Sequence, residues 1–376
     1  MKTLILPTNT GQGHNCASQA VKESLEALGI TALVEDVLNT GKQKSQTVSR
    51  LYDAAVHRVP KFFGALYSLA EHISSSKRHS PVYYANALYA RSVYQRIQDC
   101  QPDAIVCPHM FSAHAVSFIR SRYGLDIPSI GIITDYSCSP FWEECTLDRY
   151  IVADEAVADE CAARGMDRAK LAPLGIPVSA RFAQRMPKAE ARVLLGIQKE
   201  KVFVVMGGSM GFGSIPNIAA ELSRRVPDAQ TVAVCGTNAD AFCQTQVIPG
   251  VMALPFTDQI DTLMDAADVL LTKPGGLTTT EAMVKRVPLV MTMPIPGGEA
   301  RNAAFISRMG MGLLANTALQ SVDAAVSLLA DEQARQRMLD AQSRHVSQTA
   351  AADAAQLIQA LILDKGGAVV CGGRAS

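Results

Sequence analysis

The chain has 376 residues, about twice the length of a typical domain, so two domains with separate cores are expected. Its 35 basic and 35 acidic residues cancel, which argues against an extended nucleic-acid-binding surface. The nine cysteines are scattered, odd in number and without a C-x-x-C pair, so the sequence indicates a reducing cytosol and neither a disulfide framework nor a zinc site. No apolar stretch reaches the roughly 20 residues of a membrane-spanning helix, and the N-terminus lacks a signal-peptide core.

Short β-branched runs alternate with helical patterns from the start of the chain, which predicts a parallel sheet covered by helices. The helix after the first strand has apolar residues at helical spacing and is expected to end at Gly29. Its predicted buried positions are Ala17, Ala20, Val21, Leu25 and Leu28. The strands of this half are predicted at 3–6, 32–37, 104–107, 129–134 and 150–153.

The second half repeats the alternation, so a second, independently wound α/β domain is expected. Its strands are predicted at 202–206, 231–235, 252–254, 269–272 and 289–293, followed by helices at 321–346 and 350–363. Residues 176–197 are the expected linker, and a hinge there would form a cleft. The predicted domains are 1–180, 181–345, and a closing helix with a loose tail at 346–376.

A glycine loop follows the strand at 269–272. The sequence Lys273-Pro274-Gly275-Gly276 leads into a helix that is expected to open near Thr278. Glycines allow a close backbone approach, and unpaired N–H groups at a helix N-terminus favour an anion such as a diphosphate. Glu281, expected in the first turn, could accept hydrogen bonds from both hydroxyls of a ribose, or could merely complement the helix dipole. We favour the ribose, with Lys273 adding positive charge.

Two other segments follow strands of the second half. The turn at 207–213 lacks the G-x-G-x-x-G pattern, and such turns often need glycine for geometry alone. Its position after the first strand of the domain makes Gly208 and Ser209 candidates for contact with a diphosphate. In the segment 296–303, Glu299 and Asn302 are three residues apart, so they would share a helix face and could bind sugar hydroxyls. The alternative is an ordinary helix start.

The turn after the first strand reads Thr10-Gly11-Gln12-Gly13-His14. Gly13 is a candidate for contact with the donor, and His14, with a pKa near neutrality, could remove a proton from an attacking hydroxyl group. A lone histidine is more often a cap or a structural residue, so this choice depends on the second domain. Asp135 ends another strand at the same edge and could orient His14, act as the base itself, or cap the following loop.

Residues 57–96 interrupt the α/β pattern. Basic residues and aromatic residues alternate there against a single acidic residue, Glu71, which suits an anionic membrane surface. The alternative is an internal helical insertion whose aromatic residues are core; we favour the membrane. The residues concerned are Arg58, Lys61, Lys77, Arg78, Arg91 and Arg96, with Phe62, Phe63, Tyr67, Tyr83, Tyr84, Tyr89 and Tyr94.

Taken together, several segments resemble the family of monogalactosyl- and processive glucosyl-diacylglycerol synthases, which is GT28-like and belongs among the inverting GT-B enzymes. The segments are TGQGHNCASQA, TDYSCSPFW, DRYIVAD, GGSMGFG, LLTKPGGLTTTEA and PGGEARNA. The resemblance runs from the first strand to about residue 315, and the block from Lys273 to Glu281 is its most specific part. It implies an α/β GT-B fold in which two Rossmann-like domains face each other across a cleft.

The resemblance also implies roles for individual residues. The diphosphate and ribose contacts fall on the Ser209 region, Gly275, Gly276, Thr278 and Glu281, and the donor hexose lies near Glu299 and Asn302. His14 lies beside the acceptor hydroxyl, and Trp142 and the basic insertion with Arg58, Lys61, Phe62 and Phe63 lie near lipid. No metal and no cofactor are expected, since helix dipoles and backbone amides can offset the charge of the leaving diphosphate.

Two segments depart from the family pattern. Relatives commonly carry a histidine before the tryptophan of the TD loop, where this chain has Ser139. Relatives often read GQEAGN where this chain has Gly298 in place of the glutamine and Arg301 in place of a glycine. The missing amide beside the hexose would relax donor choice or indicate a different sugar.

The function implied is inverting transfer of a hexose from UDP-glucose or UDP-galactose to the hydroxyl of diacylglycerol or a glycosyl-diacylglycerol. The enzyme is then a cytoplasmic hexosyltransferase of glycolipid biosynthesis, bound peripherally to the inner face of the cell membrane. Its partners are the UDP-sugar, the lipid and an anionic membrane surface, without nucleic acid. The alternatives are an isomerase resembling UDP-N-acetylhexosamine 2-epimerase, a nucleotide-sugar sensor without turnover, and transfer to another lipid such as a polyprenol-linked acceptor.

Overall fold

The computed structural model describes residues 1–8, 12–38 and 79–371, with side chains through residue 365. The chain divides into two compact units, one formed by Met1–Ser179 with Thr349–Ser376 and the other by Ala180–Gln348. The division at Ser179 lies within the segment 176–197 that the sequence indicates as a linker.

The first unit is built on a six-stranded parallel sheet. Its strands are β1 (Lys2–Ile5), β2 (Thr31–Val34), β3 (Ala104–Cys107), β4 (Ser129–Ile132), β5 (Arg149–Ile151) and β6 (Leu171–Ala172). Their spatial order is β2-β1-β3-β4-β5-β6, so the chain moves to one side of β1 with β2 and to the other side with β3. In sheets of this kind, ligands bind at the carboxyl ends of the strands where the direction reverses.

Every residue of β3 and β4 is buried, which indicates that helices cover both faces of this sheet. Those that precede the division are Gln12–Ala27, Pro81–Ala87, Ala90–Cys100, Met110–Tyr123 and Glu155–Ala163. The last helix of the chain, Ala350–Cys371, returns to this unit and adds Ala354, Ala355, Ile358 and Ile362 to a core cluster with Ile5, Val21 and Leu25.

The second unit repeats the architecture with a separate six-stranded parallel sheet. Its strands are β7 (Lys201–Met206), β8 (Ala229–Val234), β9 (Val251–Leu254), β10 (Val269–Thr272), β11 (Leu289–Thr292) and β12 (Leu313–Ala315). The order β12-β11-β10-β7-β8-β9 reverses between β7 and β10. The helices of this unit are Ala180–Ala183, Lys188–Leu194, Ile215–Arg225, Ala239–Thr245, Ile260–Ala266, Gly276–Val284, Gly298–Arg308, Ala318–Ala330 and Glu332–His345.

The structure corrects several details of the predicted elements. The single helix predicted at 321–346 is two helices, because Asp331 leaves the helical conformation and caps the second one through a hydrogen bond from the backbone N–H of Ala334. The last helix continues to Cys371 rather than ending at 363. Leu28, predicted to be buried, is 39% exposed because the helix has ended at Ala27. The short strands β6 and β12 were not predicted.

Candidate active site

Two loops meet at the carboxyl edge of the second sheet, where the strand order reverses. Met206 at the end of β7 is the direct neighbour of Thr272 at the end of β10. The loops that follow are in contact, since a Cβ atom at Gly208 would lie 2.8 Å from the Lys273 Cε atom. The structure therefore brings Gly208, Ser209 and Lys273 together at the position where such sheets bind ligands.

The loop 207–213 has a shape that only glycine permits. A Cβ atom at Gly207 would lie 2.1 Å from the carbonyl oxygen of Phe212, and one at Gly211 would lie 1.9 Å from the carbonyl oxygen of Cys235. Gly211 also has a positive φ of 62°. The glycines of this turn are therefore explained by backbone packing, and its location is what relates it to ligand binding.

The helix Gly276–Val284 begins at the same edge without a side-chain cap. The hydroxyls of Thr279 and Thr280 donate to the carbonyl oxygens of Gly275 and Gly276, at 2.8 and 2.6 Å, and so do not satisfy the free amides. The N–H groups of the first turn, which includes Thr278, are left for a ligand or for water. A Cβ atom at Gly275 would meet nothing within 4 Å, so the space in front of the helix is open.

Glu281 is buried in this helix, with 8% of its surface exposed. Burial raises the pKa of its carboxyl to about 8; the positive charge of Arg181 opposes this shift and the negative charge of Asp261 adds to it. Since the helix begins at Gly276, Glu281 lies beyond the first turn, where the helix dipole has little effect. The expectation that Glu281 lies in the first turn of this helix is therefore wrong.

The third predicted segment packs against the Lys273 loop. The Lys273 Nζ atom lies 2.8 Å from the Glu299 Oε1 atom. The buried side-chain amide of Asn302 donates to the carbonyl oxygen of Pro274 at 3.2 Å. Glu299 and Asn302 therefore point from one helix face toward consecutive residues of the loop, as their spacing indicates. Asn302 supports the loop, and Glu299 forms an ion pair with its lysine.

In the first unit, His14 occupies the reversal point of the sheet. It lies in the first turn of the helix Gln12–Ala27, directly after Gly13, and its Nδ1 atom is 3.1 Å from the carbonyl oxygen of Pro108. The hydroxyl of Thr134 lies 3.2 Å from the same nitrogen. Because a carbonyl oxygen can only accept, Nδ1 carries the proton and neutral His14 has its lone pair on Nε2.

Asp135 acts electrostatically on this imidazole. Burial lowers the pKa of His14, and the negative charge of Asp135 and the hydrogen bond to Pro108 act in the opposite direction. Asp135 itself accepts a hydrogen bond from the Ser139 hydroxyl at 2.8 Å. His14 is therefore neutral near pH 7 and able to accept a proton, and Asp135 stabilises the imidazolium that would result.

Comparison with known families agrees with this arrangement. Residues 14–178 match the family model described as monogalactosyldiacylglycerol (MGDG) synthase. Residues 202–358 match the model of the glycosyltransferase family 28 C-terminal domain. The chain therefore carries an MGDG synthase domain followed by a glycosyltransferase family 28 C-terminal domain. It is a glycosyltransferase of the GT-B fold.

Individual relatives are similar over nearly the whole glycosyltransferase. The processive diacylglycerol beta-glucosyltransferase of Bacillus pumilus is 29% identical over 363 residues, which covers 93% of both chains. The crystal structure of the glycosyltransferase of kitacinnamycin aligns with a TM-score of 0.67 at 16% identity, over 96% of this chain and 99% of that one. The UDP-GlcNAc 2-epimerase of Neisseria meningitidis bound to UDP-GlcNAc aligns with a TM-score of 0.61 at 13% identity, over 97% and 100%.

The predicted membrane residues of the glycosyltransferase have mixed outcomes. Arg58, Lys61, Phe62 and Phe63 lie outside the described residues. Tyr83 and Tyr89 are buried, and the phenol of Tyr89 donates to the side chain of Asn86 at 2.8 Å. Arg96 donates to Glu35 at 2.6 Å. For Tyr83 and Tyr89 the core interpretation holds, whereas Arg96 is partly exposed and its charge is paired with Glu35.

Trp142 is also part of the core. Its side chain is 4% exposed, its ring meets that of Tyr150 edge-on at 6.3 Å, and a Cβ atom at Gly131 would lie 2.8 Å from its Cζ3 atom. A membrane-facing tryptophan keeps its ring at the surface. The expectation that Trp142 lies near lipid is therefore corrected.

One residue of this edge was missed in the sequence. His109 follows β3, and its ring centroid lies 4.6 Å from that of His14 in an edge-on arrangement. The signal was present, because Pro108 and His109 come directly after a fully buried strand, where neighbouring parallel strands also end.

Neither a metal cluster nor a spanning helix occurs in the described regions. No group of three or more His, Cys, Asp or Glu residues there could hold a metal ion. No helix formed by the described residues is both long enough and apolar enough to cross a membrane.

Proposed function

We propose that this glycosyltransferase moves a hexose, with inversion, from UDP-glucose or UDP-galactose to the hydroxyl of diacylglycerol or of a glycosyl-diacylglycerol. The observation that carries the donor half is the uncapped helix N-terminus at Gly275, open to solvent and flanked by Lys273 and Glu281. The transfer takes place at the cytosolic membrane face, to which the enzyme binds peripherally.

The second unit supplies the contacts that a UDP-sugar needs. The free N–H groups after Gly275 donate hydrogen bonds to the diphosphate oxygens, and Lys273 adds a positive charge beside them. Glu281 accepts the ribose hydroxyls, and Glu299 accepts hydroxyls of the hexose. Because the same amides and Lys273 offset the charge of the departing UDP, the leaving group needs neither a metal nor a cofactor.

The first unit supplies the base. The acceptor hydroxyl donates to the Nε2 atom of His14, and its oxygen attacks the anomeric carbon from the face opposite the diphosphate. The new carbon–oxygen bond forms as the bond to the diphosphate breaks, UDP leaves with that electron pair, and the proton passes to His14. One displacement inverts the anomeric centre, which agrees with the word beta in the name of the Bacillus pumilus relative, since UDP-glucose is an α-glycoside.

Incubation of the purified protein with radiolabelled UDP-glucose or UDP-galactose and diacylglycerol vesicles tests the proposal. A β-linked glycosyl-diacylglycerol is expected, with the preferred donor giving the sugar identity. An epimerase instead interconverts UDP-sugars without lipid, and proton NMR of the same mixture detects this. Absence of glycolipid with every diacylglycerol and polyprenol acceptor would contradict the proposal.

The open space before Gly275 allows the donor site to be blocked without disturbing the fold. The variant Gly275→Ala places a methyl group where nothing lies within 4 Å, so the thermal midpoint is expected to stay within a few degrees. UDP affinity, measured by calorimetry, is expected to fall about tenfold because the methyl group occupies the position of the diphosphate.

The matched variant Gly211→Ala distinguishes a methyl group that blocks the donor site from one that disrupts the fold of a loop. Its Cβ atom would overlap the carbonyl oxygen of Cys235 at 1.9 Å, so the loop must rearrange, and both the thermal midpoint and UDP affinity are expected to fall. UDP binding by Gly275→Ala with wild-type affinity would show that the diphosphate lies elsewhere.

A further inference from the structure

His109 occupies an unusual position for an imidazole. It is the N-cap of the helix Met110–Tyr123, where its Nδ1 atom accepts a hydrogen bond from the backbone N–H of Phe111 at 3.2 Å. Its backbone carbonyl accepts from the Ser112 hydroxyl at 2.8 Å. Asn, Asp, Ser and Thr are the preferred N-cap residues, so capping accounts for one nitrogen of this ring and does not explain the other.

The cap fixes the tautomer of His109. Since Nδ1 accepts a hydrogen bond from the backbone N–H of Phe111, the ring proton of neutral His109 must be on Nε2. Burial lowers the pKa of His109 well below its usual value, and the nearby His14 and His114 lower it further. His109 is therefore a neutral donor through Nε2–H.

His14 has the opposite arrangement. Its Nδ1–H donates to the carbonyl oxygen of Pro108, the residue before His109, and its Nε2 carries a lone pair. One dipeptide at the end of β3 thus orients both rings, whose centroids are 4.6 Å apart. The pair offers one acceptor and one donor, each on an Nε2 atom with no hydrogen bond in the described structure.

From this geometry we infer that His109 binds the oxygen atom of the acceptor hydroxyl, donating its Nε2–H to that oxygen while the hydroxyl proton points to the Nε2 atom of His14. A hydroxyl is the group that donates one hydrogen bond and accepts another, so it matches the pair. The inference rests on the proposed function and adds a second acceptor-binding residue to it.

The contact has a defined effect on the reaction. The hydrogen bond from His109 occupies one lone pair of the oxygen and leaves another for attack on the anomeric carbon. As His14 removes the proton, negative charge grows on the oxygen, and a donor that is already in place stabilises it without reorganisation. His109 stays neutral, so it does not repel the imidazolium that forms on His14.

The variants His109→Asn and His109→Ala separate this role from helix capping. Asparagine is a good N-cap and keeps the acceptor for the N–H of Phe111, but it lacks the Nε2–H group; alanine lacks both. With UDP-glucose saturating and diacylglycerol varied in mixed micelles, kcat/KM for the lipid is expected to fall about 10- to 100-fold in both variants. UDP affinity is expected to be unchanged, and only the alanine variant is expected to lose thermal stability.

The activities of His109→Asn and His109→Ala relative to the wild type distinguish the two roles of His109. If His109 only capped the helix, His109→Asn would be as active as the wild type and His109→Ala much less active, and that result would overturn the inference. Asp154→Ala is the matched control, because it removes a 2.8 Å cap from the helix Glu155–Ala163 of the same unit and is expected to leave kcat/KM unchanged. Failure of the wild type to glycosylate lipid would instead count against the proposed function.

Discussion

Replacing His14 by alanine is expected to lower the rate of glycolipid formation by about 10²- to 10⁴-fold, the range that general base catalysis contributes. The proposed donor contacts lie in the other unit, so the affinity for UDP is expected to be unchanged in a calorimetric titration. Added imidazole is expected to restore part of the activity of His14→Ala, because the small base can enter the space left by the ring.

The companion variant Asp135→Asn tells which group is the base. If Asp135 only stabilises the imidazolium of His14, the variant keeps a working base that is easier to deprotonate, and the rate is expected to fall less than in His14→Ala. The acid limb of its pH–rate profile is expected at a lower pH than in the wild type, because the charge that raised the pKa of His14 is gone. The reverse order of activities would make Asp135 the base.

Replacing Glu281 by glutamine is expected to weaken UDP binding by about 10- to 100-fold at pH 9, the effect of losing hydrogen bonds to a charged acceptor. In the free protein the pKa of Glu281 is about 8, so at pH 7 most of this carboxyl is protonated. If the ribose requires the carboxylate, wild-type affinity rises up to tenfold per pH unit toward pH 8 and levels off above it. Glu281→Gln removes that dependence.

The same substitution has the opposite effect on stability. The pKa of Glu281 is about 8 in the folded protein against a reference value of 4.5, so the folded state holds a proton that the unfolded chain has released between these values. The free energy of unfolding therefore falls as the pH rises through this window, by up to about 1.4 kcal/mol per unit. Glutamine has no such dependence, so the thermal midpoint of Glu281→Gln at pH 8 is expected to exceed that of the wild type. A lower midpoint would show that the carboxylate stabilises the free protein.

The sequence was most informative at the carboxyl ends of the strands. Apolar strands such as β7 and β10 are followed by glycine turns, and parallel topology brings such turns to one edge, so the Lys273 loop and His14 could be located without a structure. The strands β6 and β12 have two and three residues, too few for a period to appear.

Burial of aromatic residues could not be predicted in the same way. Tyr83 and Tyr89 lie in a basic segment of the chain, which suits a membrane surface as well as it suits a core, and Trp142 was expected near lipid from the family resemblance. Whether such an aromatic residue is buried depends on its tertiary contacts. The phenol of Tyr89 donates to buried acceptors, and the ring of Trp142 packs on Gly131. The 2.8 Å pair of Lys273 and Glu299 joins residues far apart in sequence and needs two loop conformations to be known.

The helix Ala350–Cys371 changes the order in which the protein can be completed during synthesis. The core of the first unit contains Ile5 near one end of the chain and Ile362 near the other, so residues 180–348 are an insertion within that unit. All residues of the second unit are synthesised before the last helix. The first unit lacks that helix until synthesis ends, so part of its apolar surface stays uncovered until then. A chain that stops before residue 350 therefore has a complete second unit and an unfinished first unit.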